Sequence, residues 1–158
     1  LIDYDSSAAL KLDNRTLRLW LRLLGSTKLI ENAIRGRLRE SFAITLPRFD
    51  VMAQLYRCPT GLRMGELSAL LMVTGGNITG IIDQLVEEGL VERIGDDQDR
   101  RVYTARLTDA GITAFQGMAG EHRAWIDGLL DGLTEDEQQQ LSDLLLKLKD
   151  TLHEKFGE

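Results

Sequence analysis

Apolar residues recur at helical spacing along most of this chain and at strand spacing in one short region. From Asp13 to Glu40, the residues Leu17, Leu21, Leu24, Ile30, Ala33, Ile34 and Leu38 make one helical face. Leu19, Trp20 and Leu23 widen that face, as expected for a helix buried on more than one side. Thr45 is placed to cap the next helix, with Pro47 in its first turn, where a missing N–H costs nothing. Phe49, Met52, Leu55 and Tyr56 form its inward stripe, which ends near Cys58-Pro59. A short helix follows over Met64–Met72, and the turn at Val73-Thr74 leads into a further one. In that helix Ile78, Ile81, Ile82, Leu85 and Val86 lie on one face.

Gly89 ends this helix where a left-handed residue is needed. Two strands are expected over Leu90–Gly95 and Val102–Leu107. The second alternates Tyr103, Ala105 and Leu107 against Val102, Thr104 and Arg106. The loop DDQDRR joins them. Thr108 then caps a long helix reaching about Asp131 and closed by Gly132. Thr134 and Glu137 form a capping box that opens a last helix, striped by Leu141, Leu144, Leu145, Leu148 and Leu152 up to Phe156. Leu1–Leu12 is unpatterned and reads as an arm.

The face of the Ile78 helix away from its apolar stripe carries Gly76, Asn77, Thr79, Gly80, Asp83, Gln84 and Glu87. Small polar groups on a helix suit the DNA major groove, where Asn, Gln and Thr match base-edge donors and acceptors. Gly76 and Gly80 each cost roughly 1 kcal/mol of helix propensity against Ala. On a solvent face that cost makes sense if another backbone approaches closely. Arginines at the tip of a neighbouring hairpin suit a narrow minor groove.

The stretches GGNITGIIDQLVEEGLVER and DQDRRVYTARLTDAG resemble the recognition helix and wing of the MarR family of bacterial transcription regulators. The resemblance implies a mainly α fold with a small β-hairpin wing, a winged helix-turn-helix. Its Asp-x-Arg wing motif falls on Asp99 and Arg101, with Arg100 between them, and its Leu-Thr-x-x-Gly exit on Leu107, Thr108 and Gly111. The implied organisation is an N-terminal arm and dimerisation helix over 1–44, a DNA-binding domain over 45–108, and C-terminal dimerisation helices over 109–158. The expected partners are a pseudo-palindromic operator in double-stranded DNA and a second copy of the chain. The DNA-contacting set is then Thr74, Gly76, Asn77, Thr79, Gly80, Gln84, Asp99, Arg100 and Arg101.

The pattern LWLRLLGSTKLIE…TLPRFDVMAQL resembles family members that respond to aromatic acids or their acyl-CoA thioesters. Such an effector is expected in a cleft lined by Trp20, Arg22, Phe49, Met52, Tyr56, His122 and Trp125. Each of these is equally readable as a core or surface residue. Some of the family switch by oxidation of a cysteine in the first helix; this chain has its single cysteine at Cys58 instead. A cysteine switch and a winged helix that binds only protein remain the alternatives to a DNA-binding repressor.

Composition narrows the classes further. One cysteine and two histidines, His122 and His153, supply a zinc site poorly and exclude an internal disulfide. No phosphate loop, dinucleotide fingerprint or nucleophile elbow is present, so neither an enzyme nor a cofactor is expected. No apolar run approaches the ~18–20 residues of a membrane span, and a soluble cytoplasmic protein is expected. The net charge of -6 runs against the usual basic character of DNA-binding domains. Residues 109–158 hold eleven Asp and Glu against four Lys and Arg, so most of the acidity lies in the tail. Residues 62–108 still hold eight acids against five bases.

Overall fold

The computed structural model describes residues 15–71, 75–95 and 103–157. Six helices and three strands run in the order α1 (Arg15–Phe42), α2 (Leu46–Arg57), β1 (Leu62–Arg63), α3 (Met64–Leu71), α4 (Gly75–Glu87), β2 (Val91–Gly95), β3 (Tyr103–Leu107), α5 (Asp109–Leu130) and α6 (Glu135–Phe156). The expected helices form, with Phe49, Met52 and Leu55 of α2 and Ile78, Ile81, Ile82 and Leu85 of α4 buried. Tyr56, at the end of the α2 stripe, and the leucine stripe of α6 are instead exposed in the single chain. Two starts and stops differ. Thr45 occupies the N-cap of α2 but makes no side-chain cap bond, so proline in the first turn sets that start. Ala43, in the left-handed region at φ 53°, ends α1 without a glycine, two residues past the expected Glu40.

The strands form one antiparallel sheet in the order β1-β3-β2. Val91 faces Leu107, Arg93 faces Ala105 and Gly95 faces Tyr103. β1 had no sequence signal, since two residues are too short to show alternation. It exists because Leu62 and Arg63 pair with Ala105 and Thr104. Gly61 permits this approach: at φ +88° a Cβ there would sit 2.6 Å from the Ala105 carbonyl oxygen.

The chain divides into two compact units, with the boundary inside α5 between Glu121 and His122. The core of the first unit is Ile34 and Leu38 of α1, Phe49, Val51, Met52 and Leu55 of α2, Leu67 of α3, the inner face of α4, Val91, Ala105 and Leu107 of the sheet, and Phe115 and Met118 of α5. Phe115 stacks between Phe49 and Tyr56, at 5.4 and 4.9 Å between ring centroids. Gln116 adds a bond from its Nε2 to the Tyr56 hydroxyl at 3.0 Å.

The junction after α4 is built from backbone bonds. Leu90 N–H donates to Leu85 O at 2.9 Å and Gly89 N–H to Val86 O at 3.0 Å, with Gly89 at φ +73°. The Thr108 hydroxyl donates to Gly89 O at 2.7 Å and accepts from Gly111 N–H at 3.0 Å. One side chain thus caps α5 and ties it to the end of α4.

In the second unit, Gln138 Nε2 donates to Leu130 O and Leu133 O, satisfying carbonyls at the end of α5. The expected capping box opens α6. Thr134 N–H donates to Glu137 Oε2 at 2.9 Å, and Glu137 N–H returns to Thr134 Oγ1 at 3.3 Å. The Thr134 backbone bond and then its hydroxyl bond hold the Glu137 carboxyl below its usual range. A depressed folded value contributes stability above the ordinary carboxylate range, lost as pH falls through the lowered one. Thr134→Ala removes the hydroxyl that accepts the Glu137 N–H and is expected to destabilise α6 at neutral pH. The difference should shrink in acid. Circular dichroism melts of both proteins at pH 7 and pH 3 check this; equal stability of the two proteins at pH 7 would mean the Thr134 hydroxyl contributes nothing.

Candidate nucleic-acid interface

α3 and α4 supply the two helices of a helix-turn-helix. Glu66 in the first turn of α3 accepts the Arg63 N–H at 2.6 Å, and Leu67 anchors that helix in the core. α4 is anchored more firmly: Ile78, Ile82 and Leu85 are fully buried and Ile81 nearly so. That burial fixes which side of α4 faces out. Gly76, Asn77, Thr79, Gly80 and Gln84 are all exposed, with Asp83 half-buried among them. A Cβ placed on Gly76 or Gly80 would meet nothing within 4 Å. No packing among the described residues asks for either glycine.

Thr74, Asp99, Arg100 and Arg101 lie outside the described residues. The stem of the hairpin is described, and it places arginines that the sequence reading did not assign. Arg93 of β2 pairs with Asp83 on α4, and its guanidinium lies 4.7 Å from the centroid of the Tyr103 ring. Arg48 of α2 pairs with Glu88, just past the end of α4. Arg106 binds Glu92 through two nitrogens, at 3.0 and 2.7 Å, across the β2–β3 pair. Three carboxylates of residues 62–108 thus each have an arginine partner.

Of the residues expected around an effector, Trp20, Arg22, Phe49, Met52 and Tyr56 belong to the first unit and His122 and Trp125 to the second. Phe49 and Met52 are core residues, 5% and 0% exposed. Tyr56 is exposed and joins Phe49 through Phe115, which the sequence reading passed over although Gly111, Phe115 and Met118 share a helical face. Trp20 and Arg22 are exposed on α1. His122 and Trp125 are half-buried in the second unit, and burial lowers the His122 pKa, which favours its neutral form. The first unit does contain an open cleft of about 730 Å³, lined by Leu55, Tyr56, Pro59, Glu92, Arg106, Leu107, Thr108, Asp109 and Ile112. Tyr56 is the expected effector residue that lines it.

Residues 44–103 match the family model described as the MarR family. Over 118 residues the chain is 35% identical to the HTH-type transcriptional regulator YkoM of Bacillus subtilis, covering 74% of each. The chain belongs to the MarR family. A crystal structure of a MarR family transcriptional regulator from Silicibacter pomeroyi is 32% identical, with a TM-score of 0.74, over 87% of this chain and 94% of that one. At 22% identity, Sco3205 of Streptomyces coelicolor, a MarR family regulator solved in complex with DNA, shares the fold with a TM-score of 0.74 over 85% of each chain. The protein is thus a transcriptional regulator of the MarR family and not an enzyme. The family assignment makes the α3–α4 pair its helix-turn-helix and the β2–β3 hairpin its wing. Among the described residues, no single helix is long and apolar enough to cross a membrane.

Proposed function

We propose that this protein is a homodimeric repressor that binds a pseudo-palindromic operator in double-stranded DNA and is released by a small effector. The observation that carries the reading is α4, whose inner face is locked in the core while its outer face offers small polar groups and two unexplained glycines. The Sco3205 complex supports seating a winged helix of this kind on a duplex. In the proposed division, residues 45–108 bind DNA, and 1–44 with 109–158 hold the dimer. No residue of α6 is buried in the single chain, and Leu144 and Phe156 are 65% and 78% exposed. On α1, Leu19, Trp20 and Leu29 are exposed as well. A second copy is the partner that would cover these faces, at about 25 cal/mol per Å² of apolar surface buried.

The proposed effector is a small aromatic acid or its CoA thioester. The cleft in the first unit presents Glu92 and Asp109 against Arg106 alone, which favours the uncharged aryl-acyl end of a thioester over a free carboxylate. The test combines light scattering with titration of the DNA upstream of the protein's own coding sequence. The expected mass is twice the 17.7 kDa of the chain, with protection of half-sites about 10 bp apart. A monomer, or equal affinity for that DNA and random DNA, would overturn the reading. An aryl-CoA thioester is expected to weaken binding about tenfold, a coupling of about 1.4 kcal/mol. A panel of acids and thioesters that leaves the curve unmoved would discard the effector class and keep the regulator.

A further inference from the structure

We infer that Arg93 is a positioning residue for DNA binding, acting through Asp83 rather than by touching DNA. The inference rests on the reading of α4 as the DNA-contacting helix. Asp83 falls seven residues after Gly76 and three after Gly80, so it shares the outward stripe of α4. A carboxylate there faces the phosphates of any duplex laid on that stripe, and like charges brought together weaken association strongly.

Arg93 answers this from the sheet. It pairs with Asp83 while its guanidinium stacks on Tyr103, which starts β3. The strand register explains the geometry. Arg93 lies opposite Ala105, and Tyr103 stands two residues before Ala105 on the same face of the sheet. The planar guanidinium meets both a ring and a carboxylate, a combination lysine reproduces poorly. One side chain therefore neutralises the acid on the outward stripe of α4. Both partners remain partly exposed, at 34% and 48% of their side-chain surface. A pair so exposed contributes little to folding, and its influence should appear in DNA affinity.

The experiment is a double-mutant cycle on operator affinity, read at two salt concentrations, with thermal unfolding of every variant. Arg93→Gln is expected to weaken operator binding about tenfold or more with little change in the melting temperature. Asp83→Asn alone should leave affinity equal or tighter. Combining the two should recover most of the loss, because the uncovered charge is then gone. Arg93→Lys should fall between the parent and Arg93→Gln. A loss from Arg93→Gln that is the same with Asp83 or Asn at position 83 would overturn the inference. With a salt slope lower by about one in both backgrounds, that result would make Arg93 a phosphate contact. No loss at all would also overturn it. If Arg93→Gln proves unstable, Tyr103→Leu tests the same geometry, with a smaller loss expected and none overturning it. Failure of the parent protein to prefer its operator is a separate result that removes the underlying reading.

Discussion

Gly111→Ala is expected to destabilise the first unit by about 3 kcal/mol, a large effect for one methyl group. A Cβ on Gly111 would stand 2.0 Å from the Leu90 carbonyl oxygen and 3.2 Å from Leu107 Cδ2. The first of these is backbone and cannot rotate away. That carbonyl also accepts the Thr108 N–H at 3.1 Å, and the neighbouring Gly89 carbonyl accepts the Thr108 hydroxyl. Making room means separating α5 from the α4–β2 junction and stretching both bonds, at about 1 kcal/mol each. In a chain of this size, each kcal/mol lowers Tm by roughly 2–4 °C. Gly120 in the same helix is the control, since a Cβ there meets nothing within 4 Å. Gly120→Ala should stabilise by up to ~1 kcal/mol through helix propensity. Thermal melts of both variants decide the matter, and equal shifts would show that the close approach is not a constraint.

Asn77→Ala is expected to cost roughly 1–3 kcal/mol at the proper operator and much less on random DNA. Asn77 lies in the first turn of α4, exposed, beside the two glycines that leave its surroundings open. Its amide offers a donor and an acceptor, and the start of a recognition helix is where side chains reach base edges. If Asn77 instead only solvates or caps the helix start, the variant should lose thermal stability and keep its ratio of specific to random binding. Arg101→Ala should behave differently. It is expected to weaken binding to many sequences and lower the log–log salt slope by about one. Measuring both variants on both DNAs at two salt concentrations separates the roles. Equal losses for Asn77→Ala on operator and random DNA would remove it from the residues that read sequence.

Much of this fold was legible because its helices are long and their apolar spacing is regular. Ile78, Ile82 and Leu85 are buried and Asn77 and Gln84 exposed, as the 3.6-residue period of α4 requires. Gly89 and the Thr134–Glu137 box were readable for a similar reason, since the Gly89 N–H and the groups of the box bond no more than three residues away. Thr45 shows the limit even at short range. A residue can hold a capping position while its side chain makes no capping bond.

The sequence by itself determined which face of each helix is apolar, where the hairpin falls, and that α4 carries a polar outer surface. Those properties depend on neighbours a few residues apart, and periodicity records them directly. The tertiary structure decided what lies opposite each face. β1 exists because β3 is beside it, and Gly111 is constrained because Leu90, twenty-one positions earlier, passes against it. The same holds for charge. A count over residues 62–108 finds an excess of acid, yet Asp83, Glu88 and Glu92 are met by Arg93, Arg48 and Arg106, ten, forty and fourteen positions away. Coulomb attraction acts through space and ignores chain order, so pairings of this kind leave no period to read.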